Sequence, residues 1–62
     1  MENVWLARDA NNELYLFIDE VPPHKTINKW VGRKDSTIIE IPERHFPEVQ
    51  WSDKEPTMLS CN

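Results

Sequence analysis

Residues 4–19, VWLARDANNELYLFID, set two apolar, strand-favouring runs on either side of an asparagine pair. Aromatic and β-branched residues suit a pleated, packed surface, and asparagine tolerates the positive φ that tight hairpin turns demand. The pattern predicts a β-hairpin turning at Asn11-Asn12. That register sets Trp5, Ala7 and Asp9 opposite Ile18, Leu16 and Leu14 on one face. On the other it sets Val4, Leu6 and Arg8 opposite Asp19, Phe17 and Tyr15. A three-residue loop with a bulge shifts the pairing, but in either register both faces stay apolar. A sheet with one wet face alternates more cleanly, so something else in the chain must cover this ribbon.

The remaining elements follow from breakers and apolar runs. Residues 20–28 contain Pro22-Pro23 and read as a loop, because proline cannot donate to a sheet ladder. Residues 29–33 form a third strand around Trp30 and Val31. A turn follows at Gly32, the only glycine. Residues 37–41 are a fourth strand, and Ile38, Ile39 and Ile41 are expected to be buried. Pro42 can open one helical turn over residues 42–45. Phe46, which precedes Pro47, is directed towards an extended shape. Residues 49–51 suit a short edge strand, and residues 57–62 are expected to fray. The sum is a single small, mainly β domain over residues 1–62. Its expected form is a four- to five-stranded antiparallel meander or open barrel with at most one helical turn. Phe46, Val49 and Trp51 are the available cover for the hairpin. Burying one such side chain contributes about 1.5–3 kcal/mol, against a core worth roughly 3–5 kcal/mol in so short a chain.

Chemistry-bearing patterns are sparse. The lone cysteine, Cys61, cannot form an internal bridge, which suits a reducing compartment. Met1-Glu2-Asn3 has no signal-peptide character, and no apolar run approaches the roughly 18 residues of a membrane span. The expectation is a cytoplasmic protein that makes no use of a membrane. His24, His45 and Cys61 lack zinc-site spacing. Ser36, Ser52 and Cys61 have no base placed beside them, and Glu40 and Glu43 read as outer-face residues. One glycine cannot build a phosphate-cradling loop. No catalytic residue, metal ligand or cofactor is therefore assigned, and an enzyme is not expected.

Charge is unevenly distributed. The net charge is −4, yet residues 24–34, HKTINKWVGRK, hold four bases and no acid between two acidic segments. Tryptophan is enriched at interface hot spots. The candidate partner-binding residues are accordingly Lys25, Lys29, Trp30, Arg33 and Lys34 in the basic stretch, with Trp51, Asp53 and Glu55 in the tail. The leading expectation is a small non-enzymatic protein that binds a host macromolecule, above all a protein. One alternative is a nucleic-acid-binding β domain that stacks bases on Trp30 beside the basic stretch, although the chain as a whole is acidic where such proteins are basic. Another is an acidic mimic using Asp9, Glu13, Asp19, Glu20, Glu48, Asp53 and Glu55 against a basic partner. Self-association through an unpaired edge strand is a further expectation.

The stretches VWLARDANNELYLF and FPEVQWSDKEPT resemble short proteins of gut-type bacteria and their phages that have no assigned activity. The likeness falls on Trp5 to Asp9, Leu14 to Phe17, Trp30-Val31, Phe46 to Val49, Trp51, Asp53 and Glu55 to Thr57. Ala10-Asn11-Asn12 replaces a glycine-containing turn, and the basic stretch 24–34 is a departure from the pattern. The resemblance implies a phage or mobile-element protein that modulates or inhibits host machinery, such as a defence component. It transfers no site residue.

Overall fold

The computed structural model describes residues 2–61, with side chains as far as Leu59. Six strands follow in order: β1 (Asn3–Arg8), β2 (Leu14–Asp19), β3 (His24–Lys25), β4 (Trp30–Val31), β5 (Thr37–Ile41) and β6 (Thr57–Cys61). Four of them form one antiparallel sheet in the order β5-β2-β1-β6, and β3 and β4 form a separate two-stranded ribbon. The fold is all-β as expected, with no helix among the described residues. The expected small antiparallel sheet of four strands is present and is not closed into a barrel; its spatial order departs from chain order only where β6 returns to pair with β1. The stretch 29–33 yields only the two-residue β4, and the five-residue β5 takes the free edge of β2 instead.

The hairpin exists, but its register is shifted by one residue from the two-residue-turn expectation. Arg8 pairs with Leu14, Ala7 with Tyr15, Leu6 with Leu16 and Trp5 with Phe17. The Asp9 amide donates to the Glu13 carbonyl at 2.8 Å, the Asn12 amide donates back to Asp9 at 2.9 Å, and Asn12 has φ 76°. This is a three-residue loop whose last residue takes the left-handed conformation. Asparagine adopts that conformation with little steric penalty.

The shift decides which side chains share a face. Trp5, Ala7 and Phe17 form one buried cluster with Trp30, and Tyr15 and Trp51 pack against it. Leu6 and Leu14 form the other with Val49, flanked by Leu16 and Ile41. The two-sided ribbon is thus covered from both sides, by β4 on one face and by residues 49–51 shared between the two.

Residues 42–53 reach both faces through successive tight turns. The His45 amide donates to Pro42, Val49 to Phe46 and Asp53 to Gln50, at 3.0–3.1 Å. Neither the expected helical turn at 42–45 nor the edge strand at 49–51 is present. Phe46 is not extended: its φ is 53°, a left-handed conformation held by bonds from Arg8 and Val49 to its carbonyl. Val49 is 2% exposed whereas Phe46 is 36% exposed, so Val49 and Trp51 supply the cover and Phe46 does not.

Two further expectations fail at the sheet edges. Residues 57–61 of the expected frayed tail instead pair with β1, meeting that strand's otherwise unpaired backbone groups, and residue 62 lies outside the described residues. Ile38 and Ile39 are not buried, because β5 is the edge strand of its sheet; they remain 48% and 46% exposed.

Candidate contact surface

The β3–β4 ribbon is where the sequence placed most of its contact candidates, and its turn is fixed at several points. The Thr26 amide and hydroxyl both donate to the Lys29 carbonyl, at 2.7 and 2.8 Å, and the Lys29 amide donates to the Thr26 hydroxyl at 3.2 Å. The Thr26 side chain thereby replaces one backbone bond of a tight hairpin, so neither Ile27 nor Asn28 needs a positive φ. The Ala10 amide donates to the Asn28 carbonyl at 3.1 Å, and the Trp30 amide donates to Asp9 Oδ1 at 2.8 Å. The ribbon is therefore lashed to the β1–β2 turn. Its tip residue, Ile27, is 94% exposed.

The tryptophans face inward to different degrees. Trp30 is 5% exposed and belongs to the core, and its indole Nε1 has no hydrogen-bond partner. Trp51 is half-buried against the same cluster. Lys25 joins them: its ammonium lies 4.1 Å from the Trp51 ring centroid and 5.6 Å from that of Trp30. The same ammonium donates to the carbonyls of Trp51 and Asp53. A cation over indole faces contributes about 0.5–1 kcal/mol at an exposed site. Lys25 thus pins the 50–53 turn to the ribbon.

The other candidates lie apart. Asp53 accepts the Gln50 amide at 3.1 Å and closes its own turn. Lys29 is exposed beside Asp9 at the ribbon tip. Arg33 pairs with Asp19 at the far end of β2. Lys34 is exposed, and Glu55 lines a hollow with Trp5, Pro22, Pro56 and Met58. Lys25, Trp30, Trp51 and Asp53 are brought together; Arg33, Lys34 and Glu55 are not part of that group. The four bases do not form one groove around an open tryptophan face.

Two hairpin acids proposed for a negative surface are internal. Asp19 is 4% exposed and accepts from Arg33, Ser36 and the amides of Glu20 and Val21. The Arg33 and Ser36 bonds hold its carboxyl well below the usual carboxylate range. Asp9 is 7% exposed, and burial pushes its carboxyl up despite the Trp30 amide bond. Tyr15 donates to Glu13 Oε1 at 3.1 Å, a bond that raises the phenol.

The sequence pattern missed two residues. Arg8 is 5% exposed and donates to five carbonyls, those of Asn12, Glu43, His45, Phe46 and Val49. An arginine interrupting an apolar strand was the available signal. Ile27 was the other, an aliphatic residue in a polar loop between lysines. A hollow of about 550 Å³ lies between the hairpin turn and residues 43–52, lined by Arg8, Asp9, Glu43, Arg44, Gln50 and Trp51. Among the described residues no group of three His, Cys, Asp or Glu is placed to hold a metal ion, and no helix is long and apolar enough to cross a membrane. Comparison with protein-family models, curated proteins and solved structures finds no match to the chain.

Proposed function

We propose that this is a non-enzymatic binding protein of the cytoplasm that docks on a host protein through the tip of the β3–β4 ribbon. The observation behind this reading is Ile27, 94% exposed on a turn fixed by Thr26, Ala10 and Asp9. An apolar side chain left in water gains nothing for the fold, whereas a pre-ordered one loses little freedom on binding. Lys29 beside it adds positive charge, so the fitting partner offers an apolar notch with an acidic rim. The resemblance to bacterial and phage proteins suggests a modulator or inhibitor of host machinery, which is the role assigned here.

The test is capture from bacterial lysate by the tagged protein and by its Ile27→Asp variant. A host protein retained in stoichiometric amount by the first and lost by the second, with both equally folded, is the expected outcome. Nuclease-sensitive retention of nucleic acid in place of a protein, weakening steeply with salt, would refute it. So would a protein held equally by both.

A further inference from the structure

We infer that the hollow between the β3–β4 ribbon and β5 is a docking site for an arginine side chain of a partner protein. The aliphatic stem lies against Phe17 and Ile38, and the guanidinium meets the carboxylates of Asp9, Glu13 and Glu40.

Strand register builds the hollow. Phe17 pairs with Ile38 and Tyr15 with Glu40 across β2 and β5, so these four side chains share one face of the sheet. Trp30 packs with Phe17 on that face. Between Trp30 and Ile38 a hollow of about 190 Å³ remains, lined also by Asp9, Tyr15, Phe17 and Lys29. Pockets for drug-sized ligands span about 300–1,000 Å³, so this one is sized for a single side chain. Ile38, 48% exposed, is its apolar wall.

Charge selects the occupant. Asp9 is 7% exposed, accepts the Trp30 amide and has no ion-pair partner among the described residues, whereas buried charges are as a rule paired. Tyr15 gathers two more acids. It donates to Glu13 Oε1 at 3.1 Å, and its phenol is raised by that bond, by burial and by the charges of Glu13, Glu40 and Asp9. Lys29 is the one base lining the hollow, and Glu13 acts on Asp9 more strongly than Lys29 does. The field from the charged neighbours therefore stays negative and calls for a cation. A metal ion does not suit the site, because no three His, Cys, Asp or Glu among the described residues are placed to hold one. Arginine suits it better than lysine, since a planar fork can serve separate carboxylates and stack on an aromatic ring such as Tyr15. Ile27 does not line the hollow, so arginine docking is independent of the ribbon-tip contact.

The test is NMR titration of the labelled full chain with a blocked glycine-arginine-glycine peptide and with its citrulline counterpart, which keeps the shape and loses the charge. The expected result is saturable shifts of the Tyr15, Phe17 and Trp30 amides, with the citrulline peptide at least about tenfold weaker. Glu40→Gln, with circular dichroism unchanged, should weaken the arginine peptide roughly threefold, and Ile27→Asp should leave its binding unchanged. Equal binding of the two peptides would overturn the inference, as would the absence of saturable shifts. So would a Glu40→Gln variant that binds like the wild type. A wild type that dimerises in sedimentation equilibrium and loses the dimer on Arg44→Gln would also overturn it, because the occupant would then be a second copy.

Discussion

Arg8 Nε donates to the carbonyl of Val49 at 2.6 Å, across 41 residues of sequence, where the end of β1 meets the segment that covers it. The rest of the guanidinium serves four more carbonyls, those of Asn12, Glu43, His45 and Phe46. One cation thereby turns the 43–49 loops inward and seats Val49 on Leu6 and Leu14.

Replacing Arg8 should therefore cost more than any surface charge. Bonds to a charged donor contribute about 1.5–3 kcal/mol each and are not additive, and lysine cannot reproduce the planar fork. Arg8→Lys is expected to lose about 2 kcal/mol or more in urea unfolding, and Arg8→Met is expected to be unfolded at 25 °C. An Arg8→Lys midpoint within experimental error of the wild type would show that the fork is dispensable.

Acid should destabilise the fold through Asp19. Its carboxyl is held below its unfolded-state value by Arg33 and Ser36. A depressed folded pKa contributes stability that is present above the unfolded value, about 3.9, and lost as pH falls below it. In urea titrations from pH 7 to pH 2, Asp19→Asn should be less stable at pH 7 and should show a flatter acid limb. Parallel acid limbs in the two proteins would assign the acid sensitivity elsewhere. Asp9 works in the opposite sense. Its raised carboxyl opposes folding at neutral pH, and that opposition fades as pH falls through its folded value.

Gly32 is needed for space, not for an unusual φ. A Cβ placed there would lie 2.9 Å from Ser36 Oγ and 3.1 Å from Phe17 Cδ2, and Phe17 is in the core. Gly32→Ala should lower stability by about 1–3 kcal/mol through overpacking. The combination with Ser36→Ala would relieve only the hydroxyl clash and should stay below the Ser36→Ala single variant. Thermal melts of the three proteins decide this, and a neutral Gly32→Ala would contradict the packing.

Trp30 and Trp51 should separate in a stability measurement. Trp30→Ala removes a buried ring and should cost about 3–5 kcal/mol, enough to unfold so small a domain. Trp51→Ala loses a half-buried ring and the closer of the two Lys25 contacts, and should cost less. Equal loss from the two variants, read by chemical unfolding, would contradict the burial order.

Much of the fold is legible in the residues. The hairpin, the aliphatic strand and the need for a cover over a two-sided ribbon follow from apolar pattern and turn chemistry. The register was not fixed by that pattern, because both faces are apolar and a one-residue slip looks equally good from sequence; Asn12 at φ 76° settles it. Ile38 and Ile39 misled because apolar periodicity reports strand, not position within a sheet. The pairing of residues 57–61 with β1 depends on a contact about fifty residues distant, which no local signal encodes. The contact candidates were read from charge and aromatics, yet Trp30, Trp51 and Lys25 spend those properties on one another, leaving Ile27 outside.

The most direct measurement is the affinity of the captured host protein, by titration calorimetry, for the wild type and for Ile27→Asp, with melting temperatures taken on the same samples. An interface anchor costs about 2 kcal/mol or more on truncation, roughly thirtyfold in affinity. The expected result is a loss of at least that size with an unchanged melting temperature. Affinity within about threefold of the wild type, in a variant that melts alike, would place the contact surface somewhere other than the ribbon tip.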